Sequence, residues 1–427
     1  MLSKEENDLL TMIDNDAPMA QLMRQHWTPV CLIEEVADPD GTPLRVEALG
    51  QKYVCFRNSE GRIGLLDELC PHRKASLVYG RNEDCGLRCL YHGWKFDVDG
   101  NCVAMASEPE ESPLHGKVKH QAYATREWGG FVWAWLNKEI DAPEFYAPAF
   151  SPTEDTPVSI LKMRIPANWA QITEGQIDSA HSSSLHSSDM KPARVKGAAA
   201  DEKAWYRPST DKSPRMQTQT TPYGFHYAAI RKPIKNATTH NYLRITEYIA
   251  PYTSLIPPNN NYNVATVIVP INDNESFFHF IAWGGTDCPS TTEWRKFAHA
   301  QPGIDVDDKW RPKRTLENNF LQDRQMMKLG NFTGVPGIPN QDLIMWVSMG
   351  SRVDRSSDLL GASDLAIVEF RRLMSDAARR VAEGGCAIGA EEPRTPHATI
   401  SSKEGVFPKN IDWRTLGVVD ESVNAAE

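Results

Sequence analysis

The sequence predicts an α+β protein in two parts: a small all-β unit near the N-terminus, then a larger unit of antiparallel sheet and helices. Three observations lead there. Between residues 44 and 136, short apolar runs alternate with turn signals, as in a compact β-structure. A proline-rich, acidic stretch at 141–156 interrupts that pattern and reads as a linker. Further on lie long alternating segments at 223–231, 242–249, 264–270 and 276–283, suited to a broad sheet with one face on helices. The expected divisions are a helical segment at 1–24, the β-unit at 25–140, the linker at 141–156, the large unit at 157–390 and a tail at 391–427.

In chain order, residues 5–13 read as a helix and 26–30 as a lead-in strand. Strands at 53–56 and 63–66 flank the turn Asn58-Ser59-Glu60-Gly61. Asp99-Gly100 is a hairpin turn between 94–98 and 102–104, and the run at 129–136 closes the β-unit. A strand at 158–165 opens the larger unit, and a helical stretch rich in histidine and serine follows it. Ser363 is placed to cap a helix whose apolar positions Ile367, Phe370, Met374, Ala377 and Val381 recur at helical spacing, with Gly384 ending it. The polar tail beyond Ala387 reads as loosely held.

Composition narrows the function. With 427 residues and a formal net charge of −10, the chain is a poor partner for nucleic acid or an anionic membrane. No apolar run approaches the roughly 20 residues of a membrane span. The polar, acidic first residues lack a signal-peptide pattern, so a cytoplasmic location is expected. In that reducing setting clustering of cysteines matters more than parity, and four of the eight lie between Cys70 and Cys102. No G-x-G-x-x-G fingerprint follows a strand, so no dinucleotide site of that type is expected in this sequence.

The cysteine cluster has a ligand pattern. Cys70-x-His72, sixteen residues, then Cys89-x-x-His92 is a two-plus-two set. In a Rieske centre two histidines replace two cysteines on one iron of a [2Fe–2S] cluster. Structural zinc is the competing reading, but its ligand pairs carry two-to-four-residue gaps and Cys70-Pro71-His72 has one. Cys85 and Cys102 fall off the pattern and read as small buried hydrophobes. In the second unit, Asp178, His181 and His186 stand within nine positions. Asp178 and His181 would be about 60° apart on a helix, whereas His181 and His186 would be about 140° apart. One metal is reached by both histidines only if the helix breaks, and Ser182-Ser183-Ser184 supplies a weak helix former at that point. Two imidazoles and a carboxylate form the facial triad of non-haem ferrous sites.

Together the motifs Cys70-x-His72…Cys89-x-x-His92-Gly-Trp and Asp178-x-x-His181-x-x-x-x-His186 resemble the α-subunits of Rieske non-haem iron oxygenases, over about residues 25–385. The wording Asn-Trp-Ala-Gln…Glu-Gly…Asp-Ser-x-His is most similar to the phthalate dioxygenase branch, which includes aryl O-demethylases. Two departures are Arg73-Lys74, where many relatives have Arg-Gly, and Leu90, where many have Pro.

The resemblance implies a Rieske [2Fe–2S] domain and a helix-grip catalytic domain carrying mononuclear Fe(II). It implies a cluster held by Cys70, His72, Cys89 and His92, and an iron held by His181, His186 and a late carboxylate. Asp342, in Pro339-Asn340-Gln341-Asp342, matches that last position, with Glu317, Asp323 and Glu369 as alternatives. Asp178 is implied as a bridge from His181 to His92 of a neighbouring subunit, in a trimer or stacked-trimer hexamer. A separate NADH-dependent reductase with FMN and a [2Fe–2S] centre is implied as the electron donor.

Substrate selection needs cationic forks, which arginine supplies to carboxylates bidentately. Arg244 shares a strand face with Tyr242, Thr246 and Tyr248, and Arg207 follows shortly after the iron-ligand stretch; both are candidates, ahead of Arg231. Ser179, beside Asp178, is a further polar candidate. The expected reaction is cis-dihydroxylation of an aromatic carboxylate, phthalate first, with O2 as cosubstrate. O-demethylation or mono-oxygenation of an aryl acid is the alternative within the family. A non-catalytic Rieske electron carrier is the alternative outside it, and it would leave the second histidine motif without a purpose.

Overall fold

The computed structural model of the chain describes residues 1–192, 205–257 and 261–416. It forms two compact units: one of Asp14–Asp16 with Met23–Phe145, the other of Met1–Ile13, Ala17–Leu22 and the chain from Tyr146 onward. The N-terminal helix Lys4–Thr11, opened by a capping box between Ser3 and Glu6, is therefore an integral piece of the larger unit and not a segment of its own. Leu10 is buried, Arg352 donates to Asp8, and Arg355 donates to Asn7.

The smaller unit is built from three antiparallel sheets, of three, three and four strands. Trp27–Leu32, Phe131–Trp135 and Thr125–Trp128 form the first; Leu44–Ala48, Gln51–Arg57 and Ile63–Asp67 form the second. In the third, Trp94–Phe96 pairs with Cys102–Met105 through a hairpin that needs glycine. Gly100 has φ +82°, and a Cβ there would stand 2.2 Å from the His120 carbonyl oxygen. Val54, Phe56, Leu66, Leu87, Trp94 and Phe96 form a core that also takes in Cys70 and Cys89. Cys102 packs partly buried against it, but Cys85 occupies a positive-φ turn and is half-exposed, which corrects its reading as a buried hydrophobe.

The larger unit is organised on an eight-stranded antiparallel sheet. Seven strands run in the order Val158–Ile165, Glu275–Trp283, Asn263–Asn272, Thr253–Ile256, His240–Ile249, Gly224–Arg231 and Arg215–Thr221, and the eighth, Lys403–Pro408, lies off this path. One edge of the His240–Ile249 strand pairs along its length with Gly224–Arg231. Its other edge is divided: residues 247–249 pair with Thr253–Ile256, and residues 240–245 pair with Lys403–Pro408. The tail is thus not loosely held over its described part. Trp413 is buried against Ala228, Ile230, Leu243 and Ile245, and its indole N–H donates to Gln217 at 2.7 Å. Residues 417–427 lie outside the described residues.

The strand alternation puts Tyr227, Ala229 and Arg231 on the opposite face, registered against Thr246, Arg244 and Tyr242. Helices cover that face. Phe370 of the Leu365–Ala382 helix meets Trp169 and Tyr248 edge-on, and Trp346 of the Ile338–Ser348 helix packs on Phe278. Ser363 does not cap the long helix. It sits inside a 3-10 turn, Ala362–Asp364, in which the Gly361 N–H donates to Asp364 at 2.6 Å, and the helix starts one residue later than the sequence suggested. As a result Ile367 is only half-buried, while Ala366 and Phe370 face the core.

Candidate active site

The helix Trp169–Gln176 carries the chain into the site, and nearly every letter of its motif is a fastening. Asn168 caps the helix by accepting from the Ala170 N–H, while its amide donates to the carbonyls of Thr11 and Asp273. Gln171 donates to the carbonyls of Trp346 and Gly350 and accepts from Val353 N–H. Glu174 receives two buried guanidiniums, Arg355 and Arg371, each at 2.8 Å. Gly175 lies under Trp346, where a Cβ would be 2.4 Å from the indole nitrogen. Sequence reading saw these letters as a family signature without seeing what they held.

The helix ends at Gln176, so Asp178 and His181 do not share a continuous helix as the spacing suggested. Asp178 Oδ1 accepts from Ala180 N–H at 2.7 Å, and this turn leads into a 3-10 turn, His181–Ser183. The break brings the two histidines together: His181 Nε2 and His186 Nε2 are 3.1 Å apart. Asp342, from the Ile338–Ser348 helix, sets Oδ1 3.2 Å from His186 Nε2 and 3.6 Å from His181 Nε2.

Among the described residues, these three form a group whose ligand atoms all lie within 4.8 Å of one another. Ligand atoms held about 2.1 Å from one ion at near right angles stand about 3 Å apart, so the donor set fits a single metal. The alternative carboxylates are elsewhere. Asp323 caps the Arg324–Lys328 helix, Glu369 pairs with Arg372 and Thr220, and Glu317 is exposed.

Two groups hold the imidazoles in place. Asp178 Oδ2 is 3.4 Å from His181 Nδ1. Burial opposes charge on His181, but Asp178 and Asp342 outweigh it and hold the ring above its ordinary range, as expected where a cation belongs. Gln341, which sequence reading missed, accepts from His186 Nδ1 at 2.7 Å through its side-chain oxygen. Its amide nitrogen donates to Asp189 at 2.8 Å and to the Val335 carbonyl, so the amide cannot flip without losing all three bonds. With Nδ1 carrying the proton, the His186 Nε2 lone pair is left for a metal. The only available signal was adjacency to Asp342.

Beside the triad is a cavity of about 60 Å³, lined by the apolar Ile256, Val264, Phe278 and Phe280, by Ser179, Arg207, Tyr227, Arg244 and Thr246, and by the carboxylates of Asp178 and Asp342. Arg207 is buried, and its Nη2 donates to Ser182 Oγ at 2.7 Å. Its Nε is buried and has no partner among the described residues. Burial, together with Arg244 and Arg231 close by, pushes its guanidinium down to about 9. Arg244 also lines the cavity, but the anion that its burial demanded is already in the chain: Glu404 Oε2 lies 2.5 Å from its Nη1. Arg231, ranked third from sequence, donates to Ser179 through both terminal nitrogens, to Oγ at 3.2 Å and to the carbonyl at 2.7 Å. Ser179 thus lines the cavity as an arginine-bound residue. Glu404 was not singled out at all, because its segment read as tail.

In the smaller unit, Cys70 and Cys89 open two matching turns. Lys74 N–H donates to the Cys70 carbonyl and Gly93 N–H to that of Cys89, while the Cys70 and Cys89 N–H groups donate to Ala75 and Trp94, all at 2.8–3.0 Å. The fifth residue of each turn has positive φ, +60° at Lys74 and +74° at Gly93. Lysine therefore stands where the turn geometry favours glycine, at a cost of about 1 kcal/mol. The sulfurs are buried, and burial, with the Cys89 thiol adjoining, pushes the Cys70 thiol up to about 11. The His72 and His92 rings are 4.5 Å apart, and His72 stacks on Trp94 at 4.4 Å. His72 Nδ1 is buried and has no partner among the described residues. Two buried sulfurs, two convergent imidazoles and an orphaned ring nitrogen fit a [2Fe–2S] group held by both residue types.

Two family models match the chain: a Rieske [2Fe–2S] domain at residues 26–120 and a domain described as LigXa C-terminal domain like at residues 134–427. The chain is 59% identical, over 97% of its length and 94% of the relative's, to the phthalate 4,5-dioxygenase oxygenase subunit of Pseudomonas putida. It is 31% identical to the 3-chlorobenzoate-3,4-dioxygenase oxygenase subunit of Comamonas testosteroni, over 97% and 98% of the two chains. Among solved structures, the terminal oxygenase of carbazole 1,9a-dioxygenase from Novosphingobium sp. KA1 shares the fold at TM-score 0.54 and 20% identity, covering 88% of this chain and 95% of that one. NdmB of Pseudomonas putida CBB5 does so at TM-score 0.59 and 17% identity, covering 93% and 99%. No described helix is long and apolar enough to cross a membrane. The chain belongs to the Rieske non-haem iron oxygenases, in the phthalate dioxygenase branch, as an oxygenase component that works with a [2Fe–2S] cluster and a mononuclear iron.

Proposed function

We propose that the chain is the oxygenase component of a phthalate 4,5-dioxygenase. Phthalate, O2, two electrons and two protons give the cis-4,5-dihydrodiol of phthalate. The observation that carries this reading is a pair of buried guanidiniums, Arg207 and Arg244, in the wall of the cavity beside the iron triad, with Arg231 behind Ser179. Arg244 has Glu404 behind it, but among the described residues Arg207 has no carboxylate at ion-pair distance, so the site favours an acidic substrate. The 59% identity to a phthalate 4,5-dioxygenase oxygenase subunit supports the same substrate.

In this reading Cys70, His72, Cys89 and His92 hold the cluster, and His181, His186 and Asp342 hold the iron. When bound, the two groups supply single electrons and activate O2. The chain's own residues do the rest. Arg207 and Arg244 orient the carboxylates, Ser179 is kept in the cavity wall by Arg231, and Phe278, Phe280 and Val264 exclude water from the ring. Gln341 fixes the His186 tautomer, and Asp178 fixes His181. Asp178 also bridges to His92 of a neighbouring subunit in a head-to-tail trimer, alone or stacked as a hexamer. An NADH-dependent reductase with FMN and a [2Fe–2S] centre delivers the electrons, in the cytoplasm.

The test is turnover of phthalate by the purified iron-replete protein with such a reductase, NADH and O2. A cis-dihydrodiol formed in step with NADH and O2 consumption is expected. Formaldehyde from a methoxylated aryl acid, with no diol from phthalate, would assign the chain to demethylation instead.

A further inference from the structure

We propose that Glu404 is a positioning residue that determines which acids the site accepts; this rests on the reading of the cavity as a site for an aromatic dicarboxylate. Glu404 is not part of the cavity wall. It lies behind Arg244, directly opposite it in the pairing of Lys403–Pro408 with His240–Ile249. Its Oε2 takes Arg244 Nη1 at 2.5 Å, the Tyr242 hydroxyl lies 3.4 Å from that same nitrogen, and the Pro257 carbonyl takes Nη2 at 2.7 Å.

Three fixed oxygens therefore grip one guanidinium from behind. Side-chain freedom at an arginine head is large, so a clamp of this kind presets its orientation before a substrate carboxylate arrives. The same carboxylate offsets the charge of Arg244, which keeps that guanidinium buried and in place in the cavity wall. Among the described residues Arg207 has no such partner: its bonds run to the hydroxyls of Ser182 and Ser183 and to Met190 Sδ. Arg207 is thus the open anion site, and Arg244 is the preset second one. A monocarboxylate held by Arg207 has no need of the second clamp, so Glu404 matters most to the acid that spans both.

The experiment uses iron- and cluster-replete protein carrying Glu404→Ala or Glu404→Gln, assayed with phthalate and with benzoate. Loss of the clamp should raise the phthalate KM about tenfold or more while the benzoate KM moves less than about threefold. In Glu404→Ala, kcat and the visible cluster spectrum should stay near wild type. Glu404→Gln keeps an acceptor oxygen toward Arg244 and should recover most of the lost phthalate affinity. Equal changes for the two acids, no change for either, or a glutamine variant that loses its cluster would overturn the role. If wild-type protein does not turn over phthalate, the substrate reading fails separately. The comparison then passes to equilibrium binding of other aromatic mono- and dicarboxylates, where the same selective loss for dicarboxylates is required. Failure of the wild-type protein to bind any of them ends both.

Discussion

Replacing Arg207 with methionine should make the substrate-free protein more stable and nearly blind to phthalate. Methionine keeps the reach of the side chain and removes its charge. Burial and two like-charged neighbours hold the Arg207 guanidinium at about 9, well below its ordinary 12.5, which corresponds to about 5 kcal/mol set against the charged form. Against this, the substitution gives up bonds to Ser182, Ser183 and Met190. At about 1 kcal/mol each, those come to about 3 kcal/mol.

The balance is a stabilisation of about 2 kcal/mol, or a rise in melting temperature of a few degrees in a chain of this size. Binding moves the other way. Removing one partner of a buried charge pair costs at least about 2 kcal/mol, so phthalate affinity should fall about thirtyfold or more. Calorimetric melting of wild type and Arg207→Met at equal iron content, followed by titration with phthalate, reads both quantities. A substrate-free variant that melts below wild type would show that Arg207 is a satisfied structural arginine. Unchanged phthalate affinity would remove it from the site.

Other outcomes follow from the same geometry. Asp342→Ala should leave two irons per chain instead of three, with cluster absorption intact, as read by metal analysis and visible spectroscopy. Asp178→Asn should keep all three irons yet slow turnover about 10–100-fold, since it alters the group that orients a ligand histidine; normal turnover would remove it from the electron path. Gln341→Leu leaves His186 Nδ1 and Asp189 without their partner and should weaken Fe(II) binding about 10–100-fold in titrations of chelator-treated protein. His279 gives a pH prediction. Burial, with Lys162 nearby, holds it neutral in the fold, with its pKa down to about 3, whereas the unfolded chain protonates it near 6.5. The unfolded state therefore binds more protons between those values, and stability falls with pH by up to about 1.4 kcal/mol per pH unit below about 6.5. His279→Gln should flatten that slope in urea unfolding at pH 4 to 7, and an unchanged slope would refute the assignment.

The sequence was most legible where chemistry fixes spacing. A Cys-x-His with a Cys-x-x-His names its ligands because each pair must meet one group from one turn, and the structure builds those turns alike. Histidines five apart were legible as a pair only together with the serines between them, since the helix had to break to bring them together. Asp342 could be found by its motif but not by periodicity, because Asp342 and Gln341 read as ordinary helix residues until the fold delivers them to His186. The tail misled for a different reason. Its strand is short and polar, with Glu404 turned toward Arg244 and Trp413 five residues beyond the strand end, so no alternation of apolar residues marked it. A half-buried carboxylate paired with a buried arginine looks, in sequence, like two surface charges.

The divided edge of the His240–Ile249 strand has a consequence for synthesis. Lys403–Pro408 is made well after the strand it pairs with, yet it covers hydrogen-bonding groups near the middle of the sheet and meets the desolvated charge of Arg244. Until it docks, the nascent protein carries an open strand edge next to an unmatched guanidinium, a combination that invites pairing with another chain. Translation that stops short of this strand should therefore yield a product prone to self-association, even though every iron ligand has already been made.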